Sequence, residues 1–187
     1  KGSFSSPLAG VDNYRFANLR GDVRWVPEKM EVLNASAGFY GGTARFDYLM
    51  APLGIPDVPL HHRFETRYEN VDLTTFTNFL EVQGIRLAGR ASGRNLLDWP
   101  SGRWADRVGG GELRVNAPAG VDLMTRRMPI ERIEAAARRG RPFGPFSNHT
   151  PLEPVPVGGT VTYTLSPGWI DLERSVAATP DTYVEFE

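Results

Sequence analysis

Few side chains in this 187-residue sequence have the type and spacing to do chemistry. His61 and His62 are adjacent, and His149 is distant. Neighbours on a strand point to opposite faces, so the pair is poorly placed to chelate one ion. No His-x3-His pattern is present, and no metal is expected. The chain has no cysteine, which removes disulfides, thiolate zinc sites and thiol nucleophiles. There is no Gly-x-Ser-x-Gly elbow and no Gly-x4-Gly-Lys-Ser/Thr loop. Gly109, Gly110 and Gly111 lead into a strand, so they offer no helix N-terminus to a phosphate. Asp98 and Asp106 are a carboxylate pair of the kind a carbohydrase uses, but the sequence does not fix their separation, and they read as solvated loop residues. The expectation is a protein that is not an enzyme and takes no cofactor.

The basic residues divide in the same way. Formal net charge is −1, so no global field favours nucleic acid or anionic lipid, and no nucleic-acid partner is expected. Arg126, Arg127, Arg132, Arg138, Arg139 and Arg141 form the one basic cluster. Glu131 and Glu134 interleave with them at helical spacing, which reads as a solvated helix face. No window approaches the ~18 consecutive apolar residues of a membrane span. The chain begins on Lys1 and ends on an alternating run, 183–187, without a closing turn. It reads as a piece of a longer chain.

The elements that must position these residues are mostly strands. Runs at 23–26, 30–33, 43–48, 63–68, 85–91, 112–115 and 160–165 alternate apolar and polar residues, the mark of a sheet with one dry face and one wet face. Gly41-Gly42 between two such runs signals a hairpin. Three prolines make 50–60 a loop. At Asp72 the period changes to that of a helix running to about residue 82, with Leu73, Phe76, Phe79 and Leu80 on one face and Gly84 beyond its end. A second helix is expected over 129–139, with Pro129 in its first turn and Gly140 at its stop. The expected organisation is a β-repeat block over 1–116, a helix- and proline-rich insertion over 117–158, and the start of the next β-repeat over 159–187.

Two segments share a grammar. Gly21, Val23, Trp25, Met30, Val32, Ala37, Ala44 and Phe46 align with Gly159, Val161, Tyr163, Ile170, Leu172, Ala177, Val184 and Phe186. The offset is 138 before the first turn and 140 after it, with the second turn two residues longer. Such self-similarity marks stacked sheet units that bury a face on their neighbours.

The inward positions of the alternating runs form one apolar stripe. Its candidate ligand-lining residues are Phe46, Tyr48, Phe64, Tyr68, Ile85, Leu87, Leu113, Val115, Tyr163 and Leu165. By pattern alone the stripe is either the closed core of a sandwich or the lining of an open groove. A sandwich would be a binding domain for carbohydrate or protein, with Trp99, Trp104 or Trp169 exposed in loops. A third reading is a scaffold that donates its sheet edges to barrel precursors.

Gly21-Asp-Val23-Arg-Trp25, Met30-Glu-Val32-Leu-Asn34-Ala and Tyr40-Gly-Gly-Thr-Ala44-Arg-Phe46, in this order within 21–115, resemble the strand pair ending in a Tyr-Gly-Gly turn of the AsmA-like/TamB superfamily. Asn70-Val71-Asp72-Leu73, Phe76, Phe79-Leu80 and Ile85-Arg-Leu87-Ala-Gly89-Arg-Ala-Ser-Gly93 look like its next block, and 178–186 is similar to a repeat ending. The resemblance covers about 120 residues in short motifs and leaves 117–158 unmatched. It implies a mainly β fold: an elongated, curved antiparallel sheet, a β-taco-like groove of stacked strand repeats, with one or two short helices. It also implies a periplasmic location, an inner-membrane anchor outside this segment, phospholipid acyl chains carried in the groove between membranes, and an outer-membrane barrel partner. No catalytic residues come with it.

Overall fold

The computed structural model describes residues 1–11, 14–79, 86–125 and 153–186. Its strands are β1 (Gly2–Val11), β2 (Tyr14–Val26), β3 (Lys29–Phe39), β4 (Gly42–Ala51) and β5 (His61–Asp72). A short helix, α1 (Leu73–Phe79), comes next. Then come β6 (Leu87–Ala88), β7 (Arg90–Pro100), a 3-10 turn η1 (Trp104–Asp106) and β8 (Val108–Asn116). The chain closes with β9 (Val155–Pro156), β10 (Gly158–Ser166), β11 (Trp169–Ala178) and β12 (Tyr183–Phe186).

Among the described residues, ten strands form one antiparallel sheet in the order β1-β2-β3-β4-β5-β7-β8-β10-β11-β12, which is not closed into a barrel. The fold is therefore mainly β, as the alternation predicts, and the strands make a single sheet rather than two facing ones. Because β8 pairs directly with β10, the segment expected to be an insertion leaves the ladder and returns to it without breaking the sheet. Its β9 pairs in parallel with β6, outside the main sheet.

Four expectations change. Gly109, Gly110 and Gly111 lie inside β8. Residues 95–100, including Asp98 and Trp99, belong to β7 and are not a loop. Positions 109–111 are glycine on both faces, and 95–100 carries apolar side chains on both faces, Leu97 and Trp99 on one and Leu96 on the other, which hides the strand period. The run 85–91 is not one strand: the chain turns at Gly89 (φ 154°) between β6 and β7. A Cβ on Gly89 would stand 2.9 Å from the Asn116 carbonyl oxygen, so only glycine fits this corner. Residues 2–11 and 14–19 are also strand, which their weak alternation does not reveal. The expected end of α1 near 82, the expected helix over 129–139 and the arginine cluster lie outside the described residues, as does Ile85.

The repeat is present, in a different register. Val26 pairs with Lys29 and Val23 with Val32, while Ser166 pairs with Trp169 and Tyr163 with Leu172. Both turns hold two residues, and the offset is 140 on both strands. Gly21 therefore corresponds to Val161, and Gly159 to Leu19. The match extends to the irregularities. Both hairpins shift register at the equivalent place, between Arg20 and Asp22 and between Thr160 and Thr162. Each has a left-handed residue opposite the shift, Asn34 (φ 54°) and Arg174 (φ 41°). An extra residue in one strand makes a bulge that re-aims the next side chain. Here the re-aimed residues are Ala35 and Ser175, both buried. Third strands also correspond, with Ala35 opposite Phe46 and Ser175 opposite Phe186. Alternation alone does not generate matching bulges.

Candidate functional site

Directly opposed residues share a face, so the register sorts the sheet into rows. One row runs Val23, Val32, Tyr48, Phe64, Leu97, Gly109, Leu165 and Ile170. The next runs Ala35, Phe46, Thr66, Asn95, Gly111, Tyr163 and Leu172. A third holds Ala37, Ala44, Tyr68, Gly93, Leu113 and Val161, and a fourth Val71, Ala91, Val115 and Gly159. Of the candidate lining residues, Phe46, Tyr48, Phe64, Tyr68, Leu113, Val115, Tyr163 and Leu165 thus lie on one face of the main sheet. Each is half-buried. Leu87 is displaced from this set because it sits in β6.

Glycines on this face seat the large rings. An added Cβ would meet the Tyr68 hydroxyl oxygen at 2.8 Å from Gly93 and the Tyr163 hydroxyl oxygen at 2.8 Å from Gly111. The two rings lie over the sheet because no side chain stands beneath their hydroxyls. Tyr163 donates to Asn95 Oδ1 at 2.7 Å, and Asn95 also bonds the Tyr68 hydroxyl. Burial, with the neighbouring Tyr163, pushes the Tyr68 phenol up to about 12; burial raises that of Tyr163 as well. Both rings are therefore neutral hydroxyls at physiological pH, amphipathic rather than charged.

One end of the face is covered. Val71, Leu73 and Ala91 form a buried cluster, with Phe39, Tyr40, Tyr68, Phe76, Leu87, Leu113, Val115 and Val157 packed against it. Asp72 starts the covering helix, as its sequence position predicts: its Oδ1 accepts from the Thr75 backbone N–H at 2.8 Å and the Thr75 hydroxyl at 3.1 Å. The Thr75 backbone bond is the main reason the Asp72 carboxyl is held below its usual range. The Leu73 N–H donates to the Gly89 carbonyl at 3.1 Å, tying α1 to the corner. From this plug a run of rings leads onto the open sheet: Phe76 to Phe39 at 5.9 Å, Phe39 to Phe16 at 5.2 Å, Phe16 to Phe46 at 6.0 Å, and Phe46 to Phe64 at 5.4 Å.

The opposite end is finished by a row of Trp25, Met30, Met50, His62 and Trp99. His62 stacks on Trp99 (5.2 Å, 12°) and its Nδ1 lies 2.5 Å from the Tyr48 hydroxyl. Trp104 of η1 meets Trp99 edge-on at 4.9 Å, and the Arg107 guanidinium lies 5.0 Å over the Trp104 ring. Burial, then the neighbouring His61, lowers the His62 pKa, and burial raises that of Tyr48. The pair is therefore neutral near pH 7 and presents a ring and a hydroxyl rather than ions.

The other face is wet. Arg45, Arg67 and Arg94 lie in one row and end on Glu112, which Arg94 reaches at 2.9 Å. Asp47 and Glu65 lie in the adjacent row. Asp98 is on this face and meets His61 Nδ1 at 3.0 Å, while Asp106 pairs with Arg103. Asp98 and Asp106 thus engage separate partners. Among the described residues no group of three His, Asp or Glu side chains is placed to hold a metal, and no helix is long and apolar enough to cross a membrane.

The alternating runs do not reveal Phe16, Phe39, Leu97 and Trp99 as members of this face. Trp99 is expected in a loop, yet its spacing of two from Leu97 is the signal that places it on a strand. Set beside known proteins, the chain matches no family model, no curated protein and no solved structure.

Proposed function

We propose that this chain is a segment of a periplasm-spanning, AsmA/TamB-like protein whose apolar sheet face carries phospholipid acyl chains between inner and outer membranes without catalysis. The supporting observation is the apolar face itself. It is continuous across the strands, half-buried rather than sealed, and backed by a charged face. From Tyr48 on β4 to Leu165 on β10 the row crosses four strand spacings, about 19 Å at ~4.8 Å each. That exceeds the length of one acyl chain, about 15 Å or half the ~30 Å hydrocarbon core. Each methylene moved out of water onto this face gains about 0.8 kcal/mol. The row from Tyr48 to Leu165 holds no charged or amide side chain, so along it a chain can slide with no large barrier and no local energy source. The matched bulges of the two meanders support a face built by repetition.

The test is lipid extraction and mass spectrometry of the protein purified from bacterial cells in its full-length context. Phospholipid should co-purify with wild type and be lost from Phe46→Asp and Phe64→Asp, both folded. A wild-type protein free of lipid ends this reading.

A further inference from the structure

We infer that the helix-free lip of the sheet is a docking surface for the phospholipid–water interface of a membrane, independently of whether the apolar face carries lipid. All four tryptophans, Trp25, Trp99, Trp104 and Trp169, lie at this one end of the strands. Three are well exposed: Trp169 at 75%, Trp25 at 67% and Trp104 at 51%. They belong to three separate strand connections, β2–β3, β7–β8 and β10–β11. The β4–β5 loop at the same end adds exposed Ile55 and Val58. Among the described residues, the connections at the opposite end and the strand positions beside them expose two valines, Val155 and Val184, and no aromatic side chain. Exposed apolar groups gathered on one lip mark an interaction surface rather than scatter.

The chemistry of the lip selects the partner. Tryptophan is the side chain enriched where hydrocarbon meets headgroups, because its ring is apolar and its N–H is polar. The charged groups on the lip are largely balanced: Lys29 pairs with Glu31 at 2.8 Å, Arg103 with Asp106, and Arg107 lies on the Trp104 ring. A lip of exposed indoles with little net charge fits a zwitterionic lipid surface better than an acidic or basic protein. It is also continuous with the apolar face, since Trp25 and Trp99 sit in the same row as Met30, Met50 and His62.

Vesicle flotation with phosphatidylcholine tests this, using the full chain. Wild type should float with the vesicles, its indole emission should shift to the blue, and brominated acyl chains should quench it. Trp25→Ser combined with Trp169→Ser should lower the bound fraction by about tenfold, as expected for two rings left in water. Ile55→Ser with Val58→Ser should act in the same direction, and Leu8→Ser, exposed on β1, should change nothing. Raising salt from about 0.05 M to about 0.5 M should alter binding by less than about twofold. The inference is overturned if wild type stays with the aqueous phase, or if the tryptophan variants float as wild type does. It is also overturned if light scattering reveals a dimer that those variants abolish, for then a second copy covers the lip. Loss of acyl-chain binding in Phe64→Asp with flotation intact would leave this inference standing, and the reverse result would leave only the groove reading.

Discussion

At one end of the strands α1 packs its Leu73 against Val71 and Ala91; at the other, Trp25, His62 and Trp99 finish a row that α1 does not reach. The same period-2 pattern leads into both ends, and the difference lies in the connections between strands. After β5 the chain supplies a capped amphipathic helix, and burying its apolar side makes a small core. After β2, β4, β7 and β10 it supplies connections with no covering α-helix, and Trp25, Ile55, Val58, Trp104 and Trp169, in or beside them, stay exposed. A single sheet can thus be stabilised at one end and left available at the other. Stability and surface chemistry are separable along each strand.

Truncation should break the symmetry between the ends. Leu73→Ala, in the buried cluster, should cost about 2–4 kcal/mol in urea unfolding. Met50→Ala, half-buried in the open row, should cost clearly less, because the surroundings include solvent. Equal costs would mean that both ends are core.

The ring seats between the ends come next. Gly93→Ala should cost about 1–3 kcal/mol, since its Cβ would meet the Glu112 carbonyl oxygen as well as the Tyr68 hydroxyl. Gly102→Ala, with open space around its Cβ position but a φ of 72°, should show only the smaller penalty of left-handed backbone. Unfolding midpoints of the two variants compare the seat with the backbone effect.

Asp72→Ala should cost about 1 kcal/mol through the lost helix cap. It should raise amide exchange in α1 while leaving β10 protected, which localises the plug. The open end should respond instead to acid. His62 has a folded-state pKa below its ordinary value of 6.5, so the unfolded chain binds a proton first as pH falls. The contribution is present above pH 6.5 and is lost as pH falls through the lower folded-state pKa. A small loss of melting temperature in that window should be seen in wild type and be absent from His62→Phe.

Much of this is legible in the sequence because inward positions in the runs at 43–48, 63–68, 112–115 and 160–165 are apolar, Thr66 excepted, and outward ones are charged residues or threonine. The helix start is legible because Asp72 is a capping residue immediately before an apolar period. Other features are not. Gly93 and Gly111 act through rings donated from neighbouring strands, so their local sequence carries no strand signal. Leu87 obeys the alternation but is carried off the sheet by Gly89, a backbone corner that hydropathy does not register. Aligning glycines misplaces the repeat offset before the first turn, because Gly21 is equivalent to Val161 and Gly159 to Leu19, and neither glycine is matched in the other copy.

Site-specific photocrosslinking tests the central claim, an acyl-chain-carrying apolar face, most directly. A benzophenone side chain is placed in turn at positions 46 and 64 on the apolar face and at 45 and 67 on the charged face, in the full-length protein in cells. Phospholipid adducts are then read by mass spectrometry. An acyl-chain-carrying face predicts adducts at 46 and 64 and none at 45 and 67. Adducts at all four positions, or at none of them, would contradict it.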